Sequence, residues 1–261
     1  KHNPLLRKME KSWGDGWGDV MQYGWFWFVS RPLNALLNTY HSWLDGIAKN
    51  WSWGLAIILL TITVRIVIWP LHAKSTHTMK RMAKLKPEMD KLKEKYPDDP
   101  NKLNTEMMGL YRKFGINPLG GCLPMFIQIP VFYALYKVLL LTIEMRHQPF
   151  ALWIKDLSAP DPLTPVNLFG LLPFTPPSII ALGVLPILLG ITMYIQFKLN
   201  PAPVDPVQQQ VFSIMPWIMM FLMAPFAAGL QLYWVVNNLL TIAQQKFLYS
   251  RHPGMKESPG A

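Results

Sequence analysis

Residues Trp51 to Leu71 read WSWGLAIILLTITVRIVIWPL, an apolar run that carries a single charge, Arg65. A hydrocarbon core about 30 Å thick needs roughly 20 residues at about 1.5 Å each, so this run is long enough to cross a bilayer as a helix. A charged side chain at mid-bilayer costs about 2.5 kcal/mol or more, which is why such residues face a wet cavity or a partner. Arg65 is therefore the first functional candidate. The competing explanation is snorkelling: Arg65 stands six residues before Leu71, roughly 9 Å along the axis, within reach of the headgroups.

The composition points the same way. Of 261 residues, 51% are hydrophobic, 11 are Trp and only 15% are charged, with a positive mean hydropathy. The chain is poorer in charge than soluble domains and reads as an integral membrane protein. The net charge of +10 is concentrated in one loop and the C-terminal tail, which speaks for membrane orientation and an anionic partner. A single cysteine, Cys122, excludes an internal disulfide, and histidines at 2, 41, 72, 77, 147 and 252 lack ligand spacing, so neither a metal nor another cofactor is expected. The chain begins at Lys1 without a signal-peptide pattern, and a preceding native segment is expected.

Upstream of the run, MQYGWFWFVS ends residues 1–30 with interfacial aromatics. An amphipathic helix from near Pro32 follows, with Leu33, Leu36, Leu37, Tyr40, Leu44 and Ile47 opposite Asn34, Asn38, His41 and Asp45, as for a helix lying in the membrane plane or packed on a soluble domain. Downstream the character changes at His72. Residues 73–117 hold eleven Lys and Arg against six Asp and Glu, a surplus of five positive charges. Met79, Met82, Leu85, Met89 and Leu92, then Leu103, Met107, Leu110 and Phe114, step by three and four around the turn YPDDPN, predicting a helical hairpin in which Pro87 kinks the first helix or begins a new turn. Met79, Arg81, Met82, Lys84 and Lys86 are its candidate contact residues, offering flexible and basic surface to nascent chain, ribosome or anionic lipid, unless they are simply a solvated face.

Four more spans follow: 117–141, 179–198, 211–224 and 230–249, with a Pro-rich, nearly neutral connection at 144–178. The fold class is an all-α membrane protein of five transmembrane helices with a helical hairpin and an interfacial helix. Lysine and arginine place 73–117 and the tail on the cytoplasmic side, with Cys122 at the cytoplasmic mouth of the second span, and leave the N-terminal segment and 144–178 outside. The domain plan is thus 1–50, an extracytoplasmic tail and interfacial helix; 51–250, the five-span core; and 251–261, a cytoplasmic tail.

No Asp or Glu stands inside a span, which excludes acidic metal clusters and carboxylate proton relays, so the core is not read as an enzyme. The spans hold uncharged polarity instead: Thr61 one turn before Arg65, Gln128, Thr192 with Gln196, and Gln231, Trp234, Asn238, Thr241 and Gln245, which step by three and four along one helical stripe. Interhelical hydrogen-bonding glue is one reading of that stripe. A hydrated groove facing the lone arginine is the other.

TITVRIVIWPL, NPLGGCLPMFIQIPVFYALYKVL, PFALWIKDLS and GLQLYWVVNNLLTIAQQ closely resemble the YidC/Oxa family of membrane protein insertases over residues from about 20 to 250. The resemblance implies a bacterial inner-membrane insertase and chaperone. It implies five helices around a groove that opens to cytoplasm and lipid and is closed on the periplasmic side. Arg65 matches the groove arginine, Gln196 and Trp234 match groove-lining positions, and 73–117 matches the cytoplasmic hairpin. Many relatives carry a second tyrosine where this chain has Trp234, and Gram-negative members have an earlier span and a periplasmic domain, so this chain resembles the core of a longer protein. Implied partners are nascent membrane proteins, the ribosome, the Sec translocon, the signal recognition particle receptor and phospholipids, and not DNA.

Together these lines predict a groove that lets a substrate's hydrophilic tail enter partway, attracted to Arg65, while its apolar segment slides into lipid, without nucleotide hydrolysis. The alternative is a small-solute transporter or channel, against which the lack of an internal repeat and of buried acids weighs.

Overall fold

The computed structural model describes residues 8–9, 11–12, 24–97, 99–117, 123–142, 145–165, 171–173, 182–199 and 206–251, and for 79, 80, 83, 100, 123–125, 206–209 and 248–251 the backbone alone. The expectations for Cys122, for most of residues 1–23 and for the tail beyond 251 lie outside the described residues.

The described chain is helical. Its main helices are α1 (Trp27–Asp45), α2 (Ser52–Lys84), α3 (Lys86–Lys95), α4 (Pro100–Lys113), α5 (Leu123–Leu141), α6 (Val184–Leu199), α7 (Pro206–Met223) and α8 (Ala228–Arg251). Helix α1 packs on α2 and α5, α2 on α8, and α8 also on α6 and α5, with α7 against α6. Leu37, Ile57, Leu60, Leu135, Leu189 and Tyr233, from five of these helices, are buried in one apolar core. Ile66, Val67, Phe126, Ile129, Trp217 and Phe221 point outward instead. An exposed apolar surface of that extent belongs in lipid. By length and composition, residues Ser52–Thr78 are long and apolar enough to cross a membrane, and Phe126–Leu141, Val184–Leu199 and Gln210–Met223 form shorter apolar helices.

One expectation is refined and one corrected. The change of character at His72 falls inside a helix, since α2 runs for 33 residues through Pro70, roughly 50 Å at about 1.5 Å per residue. Polarity changes along it while the backbone pattern does not. In α1, which begins at Trp27 with Pro32 inside it, Asn34 is buried, not turned to the wet face. It accepts from Asn38 Nδ2 at 3.0 Å and from the Thr142 hydroxyl at 3.5 Å, and His41 stacks on Trp53 with ring centroids 3.9 Å apart. Packing against α2 and α5 covers more of this helix than its apolar stripe alone accounts for.

Between α2 and α5 the chain builds a satellite core of Leu85, Met89, Tyr111 and Ile116. Pro87 lies in the first turn of α3, where a missing N–H costs nothing. Asp99 caps α4 by accepting from the Lys102 amide at 3.0 Å, and Gly115 ends it at φ 62, the left-handed conformation that glycine adopts without strain. Burial pushes the Tyr111 hydroxyl above its ordinary pKa.

Residues 145–165, expected as a simple loop, pack into the core with Met145, Ile154 and Leu157 buried. Asp161, itself buried, accepts from the Trp153 indole at 2.9 Å, the Leu163 amide at 3.0 Å and the Leu185 amide at 2.7 Å. It thereby satisfies an orphan donor in the first turn of α6. The amides of Ala228 and Gly229, at the start of α8, donate to Ala159 O and Leu157 O at 2.7 and 2.8 Å. A Cβ at Gly54 of α2 would run into the Phe150 ring, so the close approach of this segment requires glycine there.

Candidate functional site

Arg65 lies in the middle of the apolar part of α2 and is buried, with 6% of its surface exposed. Its guanidinium is turned into the bundle. Nη2 donates to Gln244 Oε1 on α8 at 2.5 Å, and Nη1 lies 2.9 Å from His72 Nε2 on its own helix. Arginine has no acceptor, so His72 receives this bond and is the neutral tautomer with its proton on Nδ1. His72 is seven residues on, two turns along the same face, which brings its ring level with the end of the long arginine side chain. Among the described residues no carboxylate lies within ion-pair distance of the guanidinium. The charge is satisfied by hydrogen bonding and is not neutralised.

The other candidates fall into two groups. Asn238 Nδ2 donates to Thr192 Oγ1 at 3.1 Å, joining α8 to α6, and Gln128 Nε2 donates to the Tyr233 hydroxyl at 2.9 Å, joining α5 to α8. Gln231 Nε2 donates to the carbonyls of Met223 and Phe226 at 2.8 and 2.9 Å, at the C-terminal end of α7. Thr61 bonds its own helix through the Ile57 carbonyl at 2.7 Å. All but Thr61, which bonds within α2, make the contacts expected of glue between membrane helices. Gln196 Oε1 and Trp234 Nε1, like Oε1 at the other end of the Gln231 amide, are buried without a hydrogen-bond partner among the described residues. The Trp234 ring stands edge-on to Phe132, centroids 4.8 Å apart. Gln244 Nε2 is likewise unpartnered, beside the arginine. Buried polar atoms are nearly always bonded, so unpaired ones mark where water or a ligand's polar groups are accommodated.

Of the expected contact residues near the satellite core, Arg81 Nη2 donates to Phe114 O at 3.0 Å and so ties down the end of α4, and Met82 packs against that core. Lys84 is exposed and Lys86 half-buried, while the Met79 side chain lies outside the described residues.

A family model described as 60Kd inner membrane protein matches residues 43–256. The chain belongs to this family. It is the family of the resemblance read from the sequence, for the curated relatives are named membrane protein insertase YidC: one from Zymomonas mobilis is 50% identical over 91% of this chain, and one from Dinoroseobacter shibae 48% identical over 95%. The chain spans about two fifths of the length of these YidC relatives, 40% and 41% respectively. A crystal structure of an active YidC insertase with its first transmembrane domain resolved superposes with a TM-score of 0.62 at 25% identity, covering 93% of this chain and 53% of that one.

The sequence reading of this YidC/Oxa member missed Gln244, His72 and Tyr233. His72 had a signal, since its spacing from Arg65 is two full turns. Gln244 stands next to Gln245, the residue assigned to the stripe, and Tyr233 next to Trp234.

Proposed function

We propose that this chain is the working core of a membrane protein insertase and chaperone, which receives nascent membrane proteins and releases their apolar segments into lipid without nucleotide hydrolysis of its own. In this reading α2, α5, α6, α7 and α8 are the five spans. The segment 73–117 with α3 and α4 is a cytoplasmic hairpin offered to the ribosome, the Sec translocon, the signal recognition particle receptor and lipid headgroups. Residues 144–178 are the periplasmic connection, 1–50 with α1 lie at the extracytoplasmic face, and the tail 251–261 is cytoplasmic, in a bacterial inner membrane.

The observation that carries the reading is a buried, unneutralised Arg65 in a lipid-facing bundle. A cation at that depth is expensive, and its cost is recovered when an acidic group of a substrate tail comes beside it. Gln196, Trp234 and Arg65 line a hydrated groove, and Thr61, Gln128, Thr192, Gln231 and Asn238 brace its walls. A tail that enters partway has a shorter apolar path to cross, which lowers its desolvation barrier. The names of the relatives support the same activity.

The test is insertion of a short single-span protein into liposomes that contain this chain alone. Protease protection of the inserted tail, absent from empty liposomes, is the expected result. No protection with the folded chain present would remove autonomous insertion from the reading.

A further inference from the structure

Resting on that reading of Arg65, we propose that His72 and Gln244 are positioning residues that set the groove's preference for acidic over neutral polar tails, by holding the guanidinium with neutral acceptors and so preserving its charge. The guanidinium has five N–H donors in a rigid fork. One acceptor comes from two turns further along α2 at 2.9 Å, and the other from the facing helix α8 at 2.5 Å. Two holds from two helices fix both the position and the plane of the fork, which a single contact leaves free to rotate.

The chemistry of the two acceptors matters as much as their placement. A glutamate in place of Gln244 would stand at ion-pair distance and add full charge pairing to a hydrogen bond that the guanidinium already charge-assists. That internal pair would cancel the field an incoming carboxylate responds to. An amide and a neutral imidazole accept the same hydrogen bonds and leave one full positive charge. Gln244 adds a further element: with Oε1 on the arginine, its Nε2 is buried and unpartnered next to the guanidinium. A carboxylate arriving there meets a cation and an amide N–H together. A hydroxyl or an amide in the same place meets the donors without the gain in charge pairing, and the difference between them is the specificity.

The experiment uses the full chain in liposomes and two single-span substrates that differ only in tail, one acidic and one neutral with Ser and Asn. The readout is the ratio of acidic-tail to neutral-tail insertion. Gln244→Glu should lower that ratio about tenfold, since close charge pairs across an interface are worth at least that much. Gln244→Leu, which loosens the fork and keeps the charge, should lower it less. His72→Gln, which keeps an acceptor, should hold the ratio nearer the wild-type value than His72→Leu. An unchanged ratio in Gln244→Glu overturns the proposal, as does equal loss on both tails, which marks a purely structural role. Arg65→Ala is the separating control: if it leaves the acidic-tail substrate untouched, the groove reading of Arg65 fails first, whereas a ratio that falls in Arg65→Ala and not in Gln244→Glu leaves that reading in place and sinks only the positioning role.

Discussion

Asn238 donates to the hydroxyl of Thr192 at 3.1 Å, and Thr192 in turn donates to its own helix at the Leu188 carbonyl, 2.8 Å away. The hydroxyl thus keeps a lone pair for α8 while its proton is occupied on α6. Hydrogen bonds of this kind between membrane helices average about 0.6 kcal/mol and reach about 1.7. A double-mutant cycle of Asn238→Ala and Thr192→Val, read by unfolding in mixed micelles, should show a coupling of about 0.6 kcal/mol. Strict additivity would mean the bond contributes nothing to stability.

Charge, and not the bidentate fork alone, is expected to govern the response of the groove. Arg65→Lys should therefore retain about half or more of the wild-type insertion of acidic-tail substrates, and Arg65→Ala should lose most of it. Initial insertion rates into liposomes measure both. A lysine variant as poor as the alanine variant would make the fork geometry decisive.

The split between bonded and unbonded polar side chains predicts who touches what during insertion. A photo-crosslinker at Trp234 should capture a stalled nascent chain, because its indole nitrogen has no partner among the described residues. One at Asn238 should capture α6. Leu232 and Val236 serve as controls expected to yield lipid or this protein's own helices, and capture of nascent chain there as often as at 234 would refute the groove.

Asp161 gathers three donors in the buried end of the 145–165 segment, two of which, the Trp153 indole and the Leu185 amide, sit far apart in sequence. Asp161→Ala leaves the indole and the Leu185 amide unsatisfied, and with about 1–3 kcal/mol for each buried group so orphaned, a loss of roughly 2–6 kcal/mol is expected. Thermal unfolding in detergent measures it. Retention of wild-type stability would show that water replaces the carboxylate at no cost.

The same segment should loosen in acid. Burial pushes the Asp156 carboxyl up, but hydrogen bonds from the Ser158 hydroxyl, the Ser158 amide and His147 outweigh it and hold its pKa below the ordinary 3.8. A carboxyl depressed in the folded state contributes stability that is fully present above its unfolded value and is lost as pH falls through the folded one. The protection factors of the amides in 147–158, corrected for the intrinsic pH dependence of exchange, should therefore be flat from neutrality to about pH 5 and fall below about pH 4, and Asp156→Asn should remove the acid step.

The helices were legible because their apolar periodicities are long, and Arg65 because a lone charge in an apolar run is conspicuous. Of the satellite core, Leu85 and Met89 stand on the methionine and leucine spacing in 73–117, whereas Tyr111 and Ile116 do not, and Phe114, which does, is exposed. What surrounds Arg65 was less accessible. A stripe stepping by three and four averages 3.5 residues, while the helix turns every 3.6, so over the length of α8 the assigned face drifts and neighbouring glutamines become indistinguishable. Gln244 holds the arginine, and Gln245 had been placed on the stripe. Tyr233 finds its partner 105 residues away in Gln128, and Asp161 finds an amide 24 residues on. Neither pairing leaves a mark in local sequence. The buried Asn34 reflects the same limit, since residue type alone places an asparagine on the wet face, and its partners Asn38 and Thr142 leave no mark in the apolar pattern.

The ties made by the 145–165 segment all fall at one end of the bundle: Asp161 on the start of α6, Leu157 and Ala159 on the start of α8, Phe150 against Gly54 near the start of α2. Gln231 adds the end of α7 at the same level. Helices clamped in this way behave as cantilevers with a common root. Deflection about such a root grows with distance from it, so compliance is expected to rise along α2 toward Lys84 and along α8 toward Arg251. Arg65 and Gln244 sit well out from that root, so a small bend there bears on the spacing that their hydrogen bond spans.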